Sequence, residues 1–165
     1  MRSGDGELDL GPEGRSVRFE RHFDATAEEV WDALTNPELL GRWLLTDTAS
    51  IEPRVGGAVS LDWGTDGKCS GTVAVFDPPR TLEYSWVEAA GTSIARFELR
   101  PDDSGVLLVL HHRELPASAH AGVGAGWNAH LDKLAAVLAG EEFDFWQRFH
   151  ELEPEYAKRL VDLKS

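Results

Sequence analysis

The sequence predicts an α+β domain: a curved antiparallel sheet of about seven strands, packed with a long helix close to the end of the chain. Three observations lead to that class. From Ala49 to Arg113, short β-rich runs alternate with turn signals, the mark of a meander of hairpins. After Pro116 the apolar period changes, and Val123, Trp127, Leu131, Leu134 and Leu138 fall on one stripe of a helix that ends at Gly140. Between the first strand and the meander, Ala25 to Trp43 reads as a pair of capped helices, around which the rest of the chain is organised.

Each element has its own warrant. Met1 to Gly14 is glycine-rich and acidic and is expected to be a loose arm. Val17, Phe19, Arg21 and Phe23 alternate with Arg18, Glu20, His22 and Asp24, the period of a strand with one buried face. Thr26 with Glu29 forms a capping box ahead of Val30, Trp31 and Leu34, so a helix runs from about Ala27 to Thr35. Asn36-Pro37 stops it, and Pro37 opens a second helix carrying Leu39, Leu40 and Trp43. Together they read as a lid hinge.

The turns of the meander are Gly56-Gly57, Gly64 to Gly67, Asp77-Pro78-Pro79, Ala89 to Gly91 and Pro101 to Gly105. In the late helix, Gly122, Gly124 and Gly126 each cost about 1 kcal/mol relative to alanine, so that end is expected to be bent or frayed. Beyond Glu141, Phe143, Trp146, Phe149 and Leu152, and after Pro154 Tyr156, Leu160 and Leu163, predict two short helices meeting at Glu153-Pro154. Their aromatic face is covered either by the domain itself or by a second copy, and we expect a homodimer. The organisation is thus an arm (1–14), a domain (15–140) and a helical extension (141–165).

Composition narrows the function. At 165 residues and 42% hydrophobic, the chain can bury one real core. No stretch is apolar enough for a membrane span, and the first fifteen residues lack the form of a secretion signal, so a cytoplasmic protein is expected. Cys69 alone allows neither an internal disulfide nor a paired-cysteine zinc site. A formal charge of -13 argues against nucleic acid and anionic membranes as partners.

The run V-W-x-A-L-T-N-P-E-L-L-x-x-W, the Val55-Gly56-Gly57 turn, the stretch from Phe76 to Trp86 and Gly126-Trp127 resemble a START-like (SRPBCC) domain. The nearest likeness is to bacterial proteins similar to the C-terminal domain of the heat-shock-protein-90 ATPase activator, and it covers roughly Val17 to Leu138. The resemblance implies a helix-grip fold, in which the sheet wraps around the long helix and leaves a space closed on one side by the hinge helices.

The inward phases of the strands then nominate Leu61 and Trp63, Tyr84 and Trp86, Phe97, and Leu108, Leu110 and His112 as lining, with Trp43 from the hinge and Trp127 and Leu131 from the helix. With six tryptophans the chain holds more large rings than close packing requires. The expected function is therefore binding of a small hydrophobic or aromatic molecule, without metal or organic cofactor, through a mouth beside Trp127 loosened by the glycines.

Two other classes remain. One is an enzyme of the cyclase, dehydratase or hydrolase kind, as START-like relatives include, with His112 as acid or base and Tyr84 or Asp62 assisting. The signatures G-x-S-x-G and H-E-x-x-H and a phosphate-binding glycine loop are absent from the sequence, and His111 and His112 must point to opposite faces of a strand. The other is a co-chaperone or protein-binding module, as the family's name implies, although the activator's separate N-terminal domain is expected to be missing.

Overall fold

The computed structural model describes residues 6–9 and 15–164. In chain order the elements are β1 (Glu7–Asp9), β2 (Arg15–Phe23), α1 (Ala27–Thr35), α2 (Pro37–Leu44), β3 (Thr48–Ile51), β4 (Ala58–Asp62), β5 (Lys68–Asp77), β6 (Thr81–Glu88), β7 (Gly91–Asp102), β8 (Gly105–Leu115), α3 (His120–Ala139) and α4 (Phe145–Lys164). The strands form one antiparallel sheet in the order β1-β2-β8-β7-β6-β5-β4-β3. Every neighbour from β3 to β8 is a sequential hairpin, and β2 closes against β8 across the hinge helices. The fold is the helix-grip that the resemblance implied, with α3 held against the sheet.

The hinge helices form where their caps place them. Glu29 N donates to Thr26 Oγ1 at 3.1 Å while Thr26 N donates to Glu29 Oε1 at 3.3 Å, the reciprocal box. Asn36 ends α1 and caps α2, its Oδ1 accepting from Glu38 N and Leu39 N. The carbonyls left free at the helix C-termini are taken by side chains. Trp43 Nε1 donates to Ala33 O at 2.7 Å, Trp63 Nε1 to Leu44 O at 2.8 Å, and His130 Nδ1 to Trp43 O at 2.9 Å. The expected lid hinge is therefore latched to the sheet by Trp63 and to α3 by His130, while Trp43 ties its two helices to each other.

Three expectations need correction. The sheet has eight strands, because Glu7–Asp9, inside the stretch expected to be a loose arm, pairs with β2 through Glu7 with Arg18 and Leu8 with Val17. The rest of that arm, residues 1–5 and 10–14, lies outside the described residues.

Second, α4 is one helix with Pro154 inside it, where two were expected. An internal proline costs about 3 kcal/mol, but Leu152 and Tyr156 on either side of it are fully buried, and their packing on the domain holds the helix through the break. Third, α3 is helical from His120 onwards, including the glycine-rich turns. A Cβ at Gly124 would meet Tyr156 Cδ1 at 2.7 Å, so this glycine gives α4 its close approach.

Between α3, α4 and β2 lies a polar seam, buried at Asn128 and Tyr156 and part-buried at its charged end. Arg21, in the inward phase of β2, donates to Asp132 Oδ1 at 2.7 Å and to Asn128 Oδ1 at 2.8 Å. Asn128 Nδ2 and Gly6 N both donate to Tyr156 Oη, at 2.9 and 2.7 Å. Arg148 Nε reaches the other oxygen of Asp132 at 2.9 Å. The extension is thus packed on the domain's own helix through Phe145, Leu152 and Tyr156, while Trp146 stays 51% exposed.

Candidate functional site

In an antiparallel meander alternate strands run the same way, so β4, β6 and β8 all end on one side of the sheet. Trp63 follows β4, Trp86 and Glu88 close β6, and His112 lies near the end of β8. Opposite them stands the first half of α3, where Val123, Gly126, Trp127 and His130 share a side by their three- and four-residue spacing. Sheet and helix part here and leave a groove.

The groove has two compartments. The inner one, about 130 Å³, lies among Trp63, Trp86, Glu88, His112, Trp127 and His130. The outer one, about 310 Å³, extends past Leu45, Asp47 and Asp66 to Phe145, Trp146 and Phe149 of α4. Leu44, Trp63, Gly126 and His130 line both. A ladder of rings connects the groove to the core: Phe97 to Tyr84 at 6.0 Å, Tyr84 to Trp86 at 6.2 Å, Trp86 to Trp63 at 6.1 Å. Trp127 stands edge-on to Trp86 at 5.5 Å, and at the outer rim Phe145 stacks on His130 at 4.3 Å.

Of the residues nominated from the sequence, the structure brings Trp63, Trp86, His112 and Trp127 together on this groove. Trp43, Leu61, Tyr84, Phe97, Leu108, Leu110 and Leu131 do not line it; they are fully buried in the closed core. The reason is positional. Mid-strand side chains meet the middle of α3, where leucines and rings interdigitate, and only strand-end residues reach the gap.

Sequence reasoning missed Leu44, Glu88, Val123 and His130, and the contribution of Phe145, Trp146 and Phe149 to the outer wall. His130 carried a readable signal, three residues after Trp127 on the same stripe. The contact of the extension with the mouth carried none, because it depends on how α4 folds back.

Hydrogen bonding fixes the protonation of the two histidines. Trp127 Nε1 donates to His112 Nδ1 at 2.9 Å, so the His112 proton sits on Nε2, which donates to Ser93 Oγ at 2.6 Å; Ser93 Oγ in turn reaches Trp86 O at 3.4 Å. Burial, helped by neighbouring His111, pushes the His112 pKa down to about 3. His130 is held differently. Its Nδ1–H donates to Trp43 O, which leaves the Nε2 lone pair without a hydrogen-bond donor among the described residues, and burial pushes its pKa down to about 4 against the opposing pull of that carbonyl.

Both rings are neutral at pH 7. Tyr84 is buried and its pKa is pushed up, while Asp62 Oδ1 accepts from Gly64 N at 2.8 Å in a turn. His112, Tyr84 and Asp62 therefore do not assemble an acid–base set: His112 has no lone pair free for a substrate proton, and the other two are committed to core and turn. Among the described residues no cluster of His, Cys, Asp and Glu could hold a metal ion, and no helix is long and apolar enough to cross a membrane. Cys69 is buried and its pKa is pushed up to about 12 by desolvation, so the thiol is unreactive.

Comparison with known proteins agrees with this architecture. Protein MLL2253 from Mesorhizobium loti is 31% identical, with a TM-score of 0.67 over 78% of this chain and all of its own. CalU16 from Micromonospora echinospora is 28% identical, with a TM-score of 0.73 over 93% of this chain and 94% of its own. EF2215 from Enterococcus faecalis, described as a conserved protein of unknown function, shares the fold at 23% identity and a TM-score of 0.77, over 97% of this chain and 92% of its own. No curated protein matches the sequence. Residues 24–139 match the model of the activator of Hsp90 ATPase homolog 1-like proteins, from the start of the hinge to the end of α3. The chain belongs to that family, within the START-like superfamily.

Proposed function

We propose that this protein binds a small, flat hydrophobic or aromatic molecule in the groove between β4, β6, β8 and α3, with α4 forming the outer wall. The observation that carries the reading is the set of rings at one gap: Trp63, Trp86 and Trp127 inside and Phe145, Trp146 and Phe149 outside, around adjoining spaces of about 130 and 310 Å³. Together these fall in the usual range for small-ligand sites. A cytoplasmic setting, with no nucleic-acid or membrane partner, is part of the same proposal.

Acid–base catalysis is not part of it, since both nitrogens of His112 are occupied by Trp127 and Ser93. A homodimer that covers Trp146 would compete for the same face. Light scattering at the working concentration separates the two, a monomer leaving the groove free for a ligand.

Calorimetric titration with 2-naphthalenemethanol tests the proposal. We expect saturable one-to-one binding that is lost in Gly126→Leu, because a Cβ at Gly126 meets nothing within 4 Å and a larger side chain there grows into the groove. Circular dichroism should show the variant folded. Binding unchanged by Gly126→Leu, or absence of binding by this alcohol and by its ammonium and carboxylate analogues alike, overturns the reading.

A further inference from the structure

Among the described residues, every charged group that lines the groove is acidic. Glu88 stands at the inner compartment and Asp47 and Asp66 at the outer one, and neither compartment contains a described lysine or arginine. None of these carboxylates is held in an ion pair among the described residues. Four tryptophans, Trp63, Trp86, Trp127 and Trp146, line the same groove. His130, the remaining ionisable side chain of the outer compartment, offers an acceptor lone pair on Nε2, because its proton is held on Nδ1 by the Trp43 carbonyl at 2.9 Å.

Indole faces carry negative quadrupole charge and attract ammonium groups, most strongly where water is excluded. A carboxylate ligand would enter against three like charges, on a chain whose net charge is already -13, with no cation to receive it.

We infer that the groove selects organic cations: molecules with a flat apolar body that fills the space between Trp63, Trp86 and Trp127 and an amine or quaternary ammonium head among Asp47, Asp66, Glu88 and His130. The inference rests on the ligand-binding reading above and adds the charge of the guest. The body supplies the buried apolar area, and the head chooses between guests of the same shape. A primary or secondary amine gains one further contact, an N–H donated to His130 Nε2. Long-range attraction by the acidic surface raises the encounter rate with such cations and falls as salt is added.

Three probes of one ring system separate the charge from the shape: 2-naphthylmethylammonium, 2-naphthalenemethanol and 2-naphthoate, titrated by calorimetry into the full-length protein. We expect the ammonium to bind at least about tenfold more tightly than the carboxylate, with the alcohol between them. The order should flatten in the triple variant Asp47→Asn, Asp66→Asn, Glu88→Gln. It should persist in a control with the same charge change on exposed residues outside the groove, Asp103→Asn, Glu141→Gln, Asp162→Asn.

Equal binding of all three probes overturns the charge selection and leaves the ligand site standing. A control variant that flattens the order as fully as the groove variant also overturns it, by assigning the preference to overall charge. Failure of all three probes removes the ligand-binding reading and this inference with it.

Discussion

Helix α3 is covered on two sides, and the covers are built in opposite ways. Toward α4 and β2, Arg21, Asn128, Asp132, Arg148 and Tyr156 interlock through hydrogen bonds of 2.7 to 2.9 Å, and the seam is closed around Asn128 and Tyr156, both fully buried. Toward the strand ends, flat rings meet edge-on or tilted, with centroids 5.5 to 6.1 Å apart, and leave space. Two glycines two residues apart mark the boundary. Gly124 is filled by Tyr156 from outside, whereas Gly126 opens on the groove with nothing within 4 Å of a Cβ. Directional polar groups close an interface because each must find its partner; rigid rings that meet edge to face do not.

The largest expected effect breaks the closed side. Asn128 is fully buried between Arg21 and Tyr156, so Asn128→Leu should cost about 3 kcal/mol in chemical denaturation, because each neighbour loses a hydrogen bond in a site closed to water. A loss under 1 kcal/mol would mean that the seam is not what fastens α4.

A second effect, also measured as stability, belongs to His112, one of the two neutral histidines on the open side. The folded-state pKa of His112 is depressed to about 3, below the ordinary value of 6.5, so between these values only the unfolded chain takes the proton. Its contribution is complete above pH 6.5 and declines as pH falls toward 3, by roughly 2 kcal/mol between pH 6.5 and 5. His112→Gln should make that stretch of the pH profile shallower, the remaining slope coming from His130, whose pKa is also depressed, to about 4; an unchanged slope would show that His112 takes up a proton as readily in the fold as in the unfolded chain.

Smaller effects sharpen the contrast between the glycines. Gly124→Ala gains helix propensity but drives a methyl group into Tyr156, and a net loss of about 1 to 2 kcal/mol is expected. Gly126→Ala has no such neighbour and should gain up to about 1 kcal/mol while slightly narrowing the groove. If both alanines stabilise equally, the two sides of α3 do not differ as described.

The fold was largely legible in the sequence because its signals are local. The Thr26 and Glu29 box, the Asn36-Pro37 stop, the hairpin turns and the Gly140 cap each act within a few residues. What could not be read depends on distant contacts. Pro154 reads as a break, and the helix runs through it because Leu152 and Tyr156 are buried on α3. Glu7–Asp9 becomes a strand only because β2 offers a free edge. For the site, alternation identified which face of each strand points inward but not how far along it the packing stays closed. Trp86 and Tyr84 share a phase, yet one reaches the groove and the other lies in the core. His112 was identified as inward-facing, but its partners Ser93 and Trp127 come from different elements, and they turn a candidate base into a structural ring.

The central claim is that a ligand binds at the strand-end mouth and not in the middle of the grip. The six indole N–H resonances of Trp31, Trp43, Trp63, Trp86, Trp127 and Trp146 report on both places at once. Titration with 2-naphthylmethylammonium, followed by nitrogen–proton correlation spectra, should move the signals of Trp63, Trp86, Trp127 and Trp146 in step. Trp31, packed on Phe76, and Trp43, buried beneath the groove, should hold still. Movement of Trp43 with Trp63 and Trp146 unchanged would place the ligand in the core and contradict the account.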